Sequence, residues 1–126
     1  MSANPANRYT RPLTELMTQA FGPHVVIREE FAGIPASGVA IYGSWAARYR
    51  GIAGPPPADV DVLVVGEPSR ADIYDAAERA EQLVGYPVNV TLCSPARWAA
   101  ASDALIQQIR SAPVVWVAGP PEEGET

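Results

Sequence analysis

The chain has 126 residues, with Lys plus Arg at 9, Asp plus Glu at 14 and a formal charge of −5, and at roughly 150 residues per domain this is one domain. With 48 % apolar and 18 % charged residues it is no disordered polyelectrolyte, and its acidity, with arginine as the only cation, speaks against direct DNA binding. A single cysteine, Cys93, and a single histidine, His24, exclude a disulfide-stapled module and a thiolate zinc site, and make any catalytic triad depend on His24.

The segment over 1–11 is polar and carries an Asn-Pro turn signal, so it reads as a flexible lead-in and not as a secretory leader. No apolar run approaches the ~18 residues of a membrane span, which makes a cytoplasmic location with no membrane partner the expectation. Leu13, Leu16, Met17, Ala20 and Phe21 recur at helical spacing before Gly22-Pro23, and a second helical stretch over 24–32 stops at Gly33. Val39 to Tyr42 is a short apolar strand ended by Gly43-Ser44, with one or two helical turns over 45–50.

Residues 51–58, GIAGPPPA, must be a loop, because three prolines remove donors and fix φ. The β-branched run over 60–65 predicts a central strand. Ser69 then caps a helix to about Val84, and Gly85 closes it. A third strand is expected over 88–92, one long helix capped by Ser94-Pro95 to about Arg110, and a fourth strand over 113–117. Strands alternating with helices predict an α/β domain over 12–118, a mixed sheet of about four strands with helices against it. An acidic tail over 119–126 is expected to be disordered.

Chemistry concentrates in two pieces. A strand has a period of two, so Asp59 and Asp61 project to one face. Like charges placed side by side repel, and hard divalent cations with oxygen ligands, Mg²⁺ or Mn²⁺, suit such a pair. Gly43 lets a phosphate approach the backbone at the start of a helix, and Ser44 can cap that helix or donate to a phosphate oxygen. Arg48 lies one turn beyond Ser44 on the same helical face and could reach the same anion. Each residue has an ordinary alternative: solubilising carboxylates at a strand end, a strand-ending glycine with a capping serine, a solvated helix-end arginine. His24 reads as a surface residue at a helix start, Cys93 as a small buried group, and the three tryptophans as core or interface rings, with Trp45 also placed to stack on a base.

The text IYGSWAARYRG followed by DVDVLVVG, with Gly43, Ser44, Ala47, Arg48, Asp59 and Asp61, resembles the minimal nucleotidyltransferase domain of the DNA polymerase beta-like superfamily. More narrowly, with FGPHVVIREEFAGIP and PVNVTLCSPARW, it is similar to domains at the C-termini of bacterial winged-helix regulators, some linked to toxin–antitoxin loci. The resemblance covers roughly residues 8–117. It implies transfer of a nucleoside monophosphate from a nucleoside triphosphate to a hydroxyl, with Asp59 and Asp61 on the metal and Gly43-Ser44 on the triphosphate. It also implies a third carboxylate on the strand over 88–92, where Asn89 stands instead. A neutral amide is a weak metal ligand and no base. Two functions therefore stay open: a metal–NTP-binding transferase domain, or a catalytically silent regulatory domain that senses nucleotide or docks a protein partner or a second copy.

Overall fold

The computed structural model describes residues 22–121. The predicted lead-in, the predicted helix over 13–21 and the last five residues of the acidic tail lie outside them. Nine elements follow in chain order: α1 (Pro23–Glu30), β1 (Gly38–Tyr42), α2 (Gly43–Tyr49), β2 (Val60–Val65), α3 (Arg70–Val84), β3 (Val88–Cys93), α4 (Pro95–Ala100), α5 (Ala104–Ser111) and β4 (Val114–Ala118). The sheet order is β3-β2-β1-β4. β1 is antiparallel to both β2 and β4, and β2 is parallel to β3, so the sheet is mixed. The α/β class expected from the sequence is the class observed.

Alternation along the strands builds two cores. Val39, Ile41, Val60, Val62, Val64 and Val88 face one way and meet Val26, Ile27 and Phe31 near α1, Trp45 and Ala46 of α2, and Ile73, Ala76 and Ala80 of α3. Leu63, Val65 and Cys93 face the other way and meet Trp98, Ile106 and Ile109 of α4 and α5. Burying one such Leu or Ile contributes about 1.5–3 kcal/mol relative to exposure, so both layers hold the sheet. β2 is the strand both cores share, which is why its β-branched run is almost wholly buried.

Local signals set the helix ends. Ser69 accepts from Asp72 N at 3.0 Å, and Gly85 closes α3 in the left-handed region at φ 82. The long helix expected over 95–110 is in fact two. Ala101 adopts a left-handed φ of 50 after α4, and Asp103 then caps α5 by accepting from Ile106 N at 3.0 Å. Asp103 also takes the guanidinium of Arg97 at 2.6 Å. The break tilts the Ile106/Ile109 face onto Leu63 and Trp98. A straight helix has no such freedom. Past β4 the chain stays against the body, with the Pro121 ring where a side chain on Gly38 would sit. No helix among the described residues is long and apolar enough to cross a membrane.

Candidate functional site

Asp61 and Asn89 are neighbours because β2 and β3 run parallel in register, Val60 opposite Val88 and Asp61 opposite Asn89. On its other side Asp61 pairs with Tyr42, the last residue of β1, so Gly43 arrives beside it. Asp61 alternates with Leu63 and Val65, and Asn89 with Thr91 and Cys93. The polar group therefore lies on the sheet face covered by α4 and α5, but at the end those helices leave open.

The two carboxylates share a single donor. Asn89 Nδ2 donates to Asp59 Oδ2 at 3.1 Å and to Asp61 Oδ1 at 3.3 Å. Carboxylates only accept, so the amide must turn its NH₂ toward them. Both acids thus aim an oxygen at one point, which spacing along the strand alone does not require. Asp61 is half-buried, and its carboxyl is held above its ordinary value. Burial is the main cause, the bond from Asn89 opposes it, and the charge of Asp59 adds to it.

Gly43 closes the site from the β1 side. Its φ is +79, and a Cβ there would meet Asp61 Oδ2 at 2.5 Å, so any other residue here would be strained and would displace that carboxylate. The helix begins earlier than expected, at Gly43, with Tyr42 in the cap position and no side-chain cap bond. Ser44 is therefore not the cap. It sits one residue inside α2 and is exposed.

Two residues join the site that sequence reasoning missed. The Tyr42 hydroxyl lies 2.9 Å from Thr91 Oγ1. Tyr42 is on β1 and Thr91 on β3, so the ring spans β2 and walls the polar end off from the Leu63/Trp98 core. The available signal was alternation, which puts Thr91 on the face of Asn89.

The other candidates are placed by contacts of their own. Arg48 donates from Nη1 to the Pro55 carbonyl of the 51–58 loop at 3.2 Å. Trp45 is buried in the core on the opposite face, stacked on Tyr49 with ring centroids 4.9 Å apart, so it offers no face to a base at the carboxylates. His24 is not a plain surface residue. It packs 5.0 Å from the Tyr49 ring, its Nδ1 is buried without a partner, and burial, with Arg28 adding to it, holds its pKa below the usual value. Cys93 is buried, as expected.

The donor set is two carboxylates, one amide and nearby hydroxyls, all hard oxygen or convertible to it by turning the Asn89 amide over. That chemistry fits Mg²⁺ or Mn²⁺ and no soft metal. Among the described residues, no group of three or more His, Cys, Asp or Glu side chains is placed to hold a metal ion. Any cation here would be held by Asp59 and Asp61, and water or a bound phosphate would supply the remaining ligands. No family model, curated protein or solved structure matches the chain.

Proposed function

We propose that this is a nucleotidyltransferase-like domain that binds a divalent metal–nucleoside triphosphate complex at Gly43, Ser44, Asp59 and Asp61. The observation that carries the reading is the convergence of Asp59 and Asp61 on one donor beside a positive-φ glycine. Two acids aimed at one point repel each other, and the charge of Asp59 helps to hold the Asp61 carboxyl above its ordinary value. A cation between them removes that cost. When bound, the metal neutralises phosphate charge and polarises the phosphoryl group.

The chain's own residues would do the rest. Asp59 and Asp61 fix the cation against the sheet. Gly43 allows the phosphate chain to lie close to the backbone, and the exposed Ser44 hydroxyl donates to a phosphate oxygen. In the transfer that the family resemblance implies, an acceptor hydroxyl attacks the α-phosphorus, the bond to the β-phosphate oxygen breaks, and pyrophosphate leaves. The acceptor proton needs a base. Asn89 stands where the resemblance expects that carboxylate, and an amide cannot take the proton.

Asn89 therefore favours a second reading, in which the domain binds nucleotide without turning it over and serves as a sensor or partner-docking module of a bacterial regulator or toxin–antitoxin system. Calorimetry with ATP, GTP, CTP and UTP plus Mg²⁺ or Mn²⁺ tests both. Metal-dependent binding that disappears in the Asp59→Ala/Asp61→Ala double variant supports the site. Pyrophosphate release with an acceptor hydroxyl selects the transferase, and its absence selects the sensor. No binding of any of the four triphosphates by the wild-type chain rejects both.

A further inference from the structure

We propose that Arg48 is a positioning residue that sets the Asp59 carboxylate by clamping the loop which carries it, and is not itself a triphosphate ligand. The proposal rests on the metal–nucleotide reading for its purpose, but its geometry stands apart from it. Three features place the guanidinium. It donates to the Pro55 carbonyl at 3.2 Å. Its Nε is buried without a partner, so the inner edge of the group is packed against the protein while the edge facing Pro55 stays exposed. A Cβ on Gly54 would overlap Nη1 and lie 2.5 Å from Cζ, so the guanidinium occupies the space in which position 54 would carry a side chain.

The clamp is needed because of where the loop is otherwise fixed. Its start is tied to α2, through Gly51 N to Arg48 O at 3.0 Å and Ile52 N to Ala47 O at 2.9 Å. Its far end is tied at Val60, whose N–H donates to Pro87 O at 2.9 Å. Asp59 lies just before that second anchor, outside the ladder. Between Pro55 and Asp59 stand Pro56, Pro57 and Ala58. Consecutive prolines form a stiff, extended segment with fixed φ, so holding the Pro55 carbonyl fixes the direction in which the chain delivers Asp59. A planar guanidinium suits this role, because it fills the space beside Gly54 while donating to the Pro55 carbonyl, a shape a lysine ammonium does not match.

The metal-free protein gives a direct readout, because the Asn89 side-chain NH₂ donates to Asp59. In ¹⁵N-correlated spectra, Arg48→Ala and Gly54→Ala are expected to shift the Asn89 NH₂ pair toward its position in Asp59→Ala. Gly54 lies outside the left-handed region, so alanine there is tolerated by the backbone and acts only by evicting the guanidinium. Arg48→Lys is expected to behave like Arg48→Ala. Loss of global stability alone does not move this signal in a protein that remains folded by circular dichroism. In calorimetric Mn²⁺ titration without nucleotide, affinity is expected to fall about tenfold in both loop variants, the lower end of what partners that orient metal ligands contribute.

An Asn89 NH₂ pair unchanged in both Arg48→Ala and Gly54→Ala overturns the proposal. So does lysine restoring the wild-type spectrum, or Mn²⁺ affinity that is unchanged while only triphosphate affinity drops. If the wild-type chain takes up no Mn²⁺, the metal–nucleotide reading fails, while the spectra still decide whether Arg48 positions Asp59.

Discussion

A methyl group on Gly43 would stand 2.5 Å from Asp61 Oδ2. Gly43 opens α2 directly after β1 and Asp61 lies near the start of β2, and each constrains the other: the carboxylate crowds any side chain, and the positive φ already disfavours one. Gly43→Ala is therefore expected to lower folding stability by roughly 1–3 kcal/mol, the range for a non-glycine residue forced into a strained backbone state. It should also swing Asp61 away from Asn89 and weaken Mn²⁺ binding. Urea unfolding and Mn²⁺ calorimetry on the same variant check both parts, and wild-type Mn²⁺ affinity in a folded Gly43→Ala protein would show that Asp61 does not depend on the glycine.

Asn89→Asp replaces the shared donor by a third acid. Without metal, three carboxylates then face one another with no donor among them, and stability should drop by up to about 1 kcal/mol, as for like charges opposed on neighbouring strands. With Mn²⁺ the order inverts, because ligand charge raises affinity for a hard cation, on the order of tenfold, or ~1.4 kcal/mol. Thermal unfolding with and without Mn²⁺ reads the inversion. Gain of pyrophosphate release in this variant, with none in the wild type, would support the proposed reading in which Asn89 keeps a nucleotide-binding domain from turnover.

The raised carboxyl of Asp61 has a pH signature with a definite sign. The folded chain holds this proton more tightly than the unfolded chain does, so stability falls as pH rises from the ordinary aspartate range through the raised folded value. At neutral pH the ionised group is a net cost. Asp61→Asn should therefore unfold at higher urea than wild type at pH 7, and the difference should close by about pH 3, below the ordinary aspartate value. Saturating Mn²⁺ at pH 7 should reverse the ranking, since only the wild type gains ligand stabilisation. An Asp61→Asn protein less stable than wild type in metal-free buffer at pH 7 would contradict the assigned cost.

Most of the architecture was legible because the strong signals were local. The β-branched run over Val60–Val65, the cap at Ser69, the stop at Gly85 and the prolines after Gly54 each act within a few residues, and each appears where expected. Asp59 and Asp61 were legible as a pair because strand alternation brings them to one face, whereas Gly43 and Asn89 joined them only through the motif pattern and the resemblance. What the sequence hid was long-range. Nothing near Arg48 announces that its guanidinium donates to Pro55, seven residues on. Tyr42 and Thr91 meet across an intervening strand, 49 residues apart. His24 looked superficial because it follows the turn-forming Gly22-Pro23 at a helix start, whereas its neighbours in space are Trp45 and Tyr49.

The helix break at Ala101 escaped for a different reason. Alanine is the strongest helix former, and the run Ala99-Ala100-Ala101 continues a helix by every local rule. Yet Ala101 has φ 50 and ψ 38, a conformation that costs an L-residue with a Cβ roughly 1–2 kcal/mol. Packing of Ile106 and Ile109 into the Leu63 core, with Asp103 capping α5, outweighs that local cost. Glycine carries no such penalty, so Ala101→Gly should raise stability, by about 1 kcal/mol or less once its greater unfolded-state freedom is set against the relief. Asp103→Ala should act oppositely, by removing both the α5 cap and the partner of Arg97. If instead α4 and α5 were one continuous helix in solution, Ala101→Gly would destabilise by about 1 kcal/mol, the ordinary cost of glycine inside a helix. The sign of one urea-unfolding difference therefore decides whether tertiary packing breaks this helix.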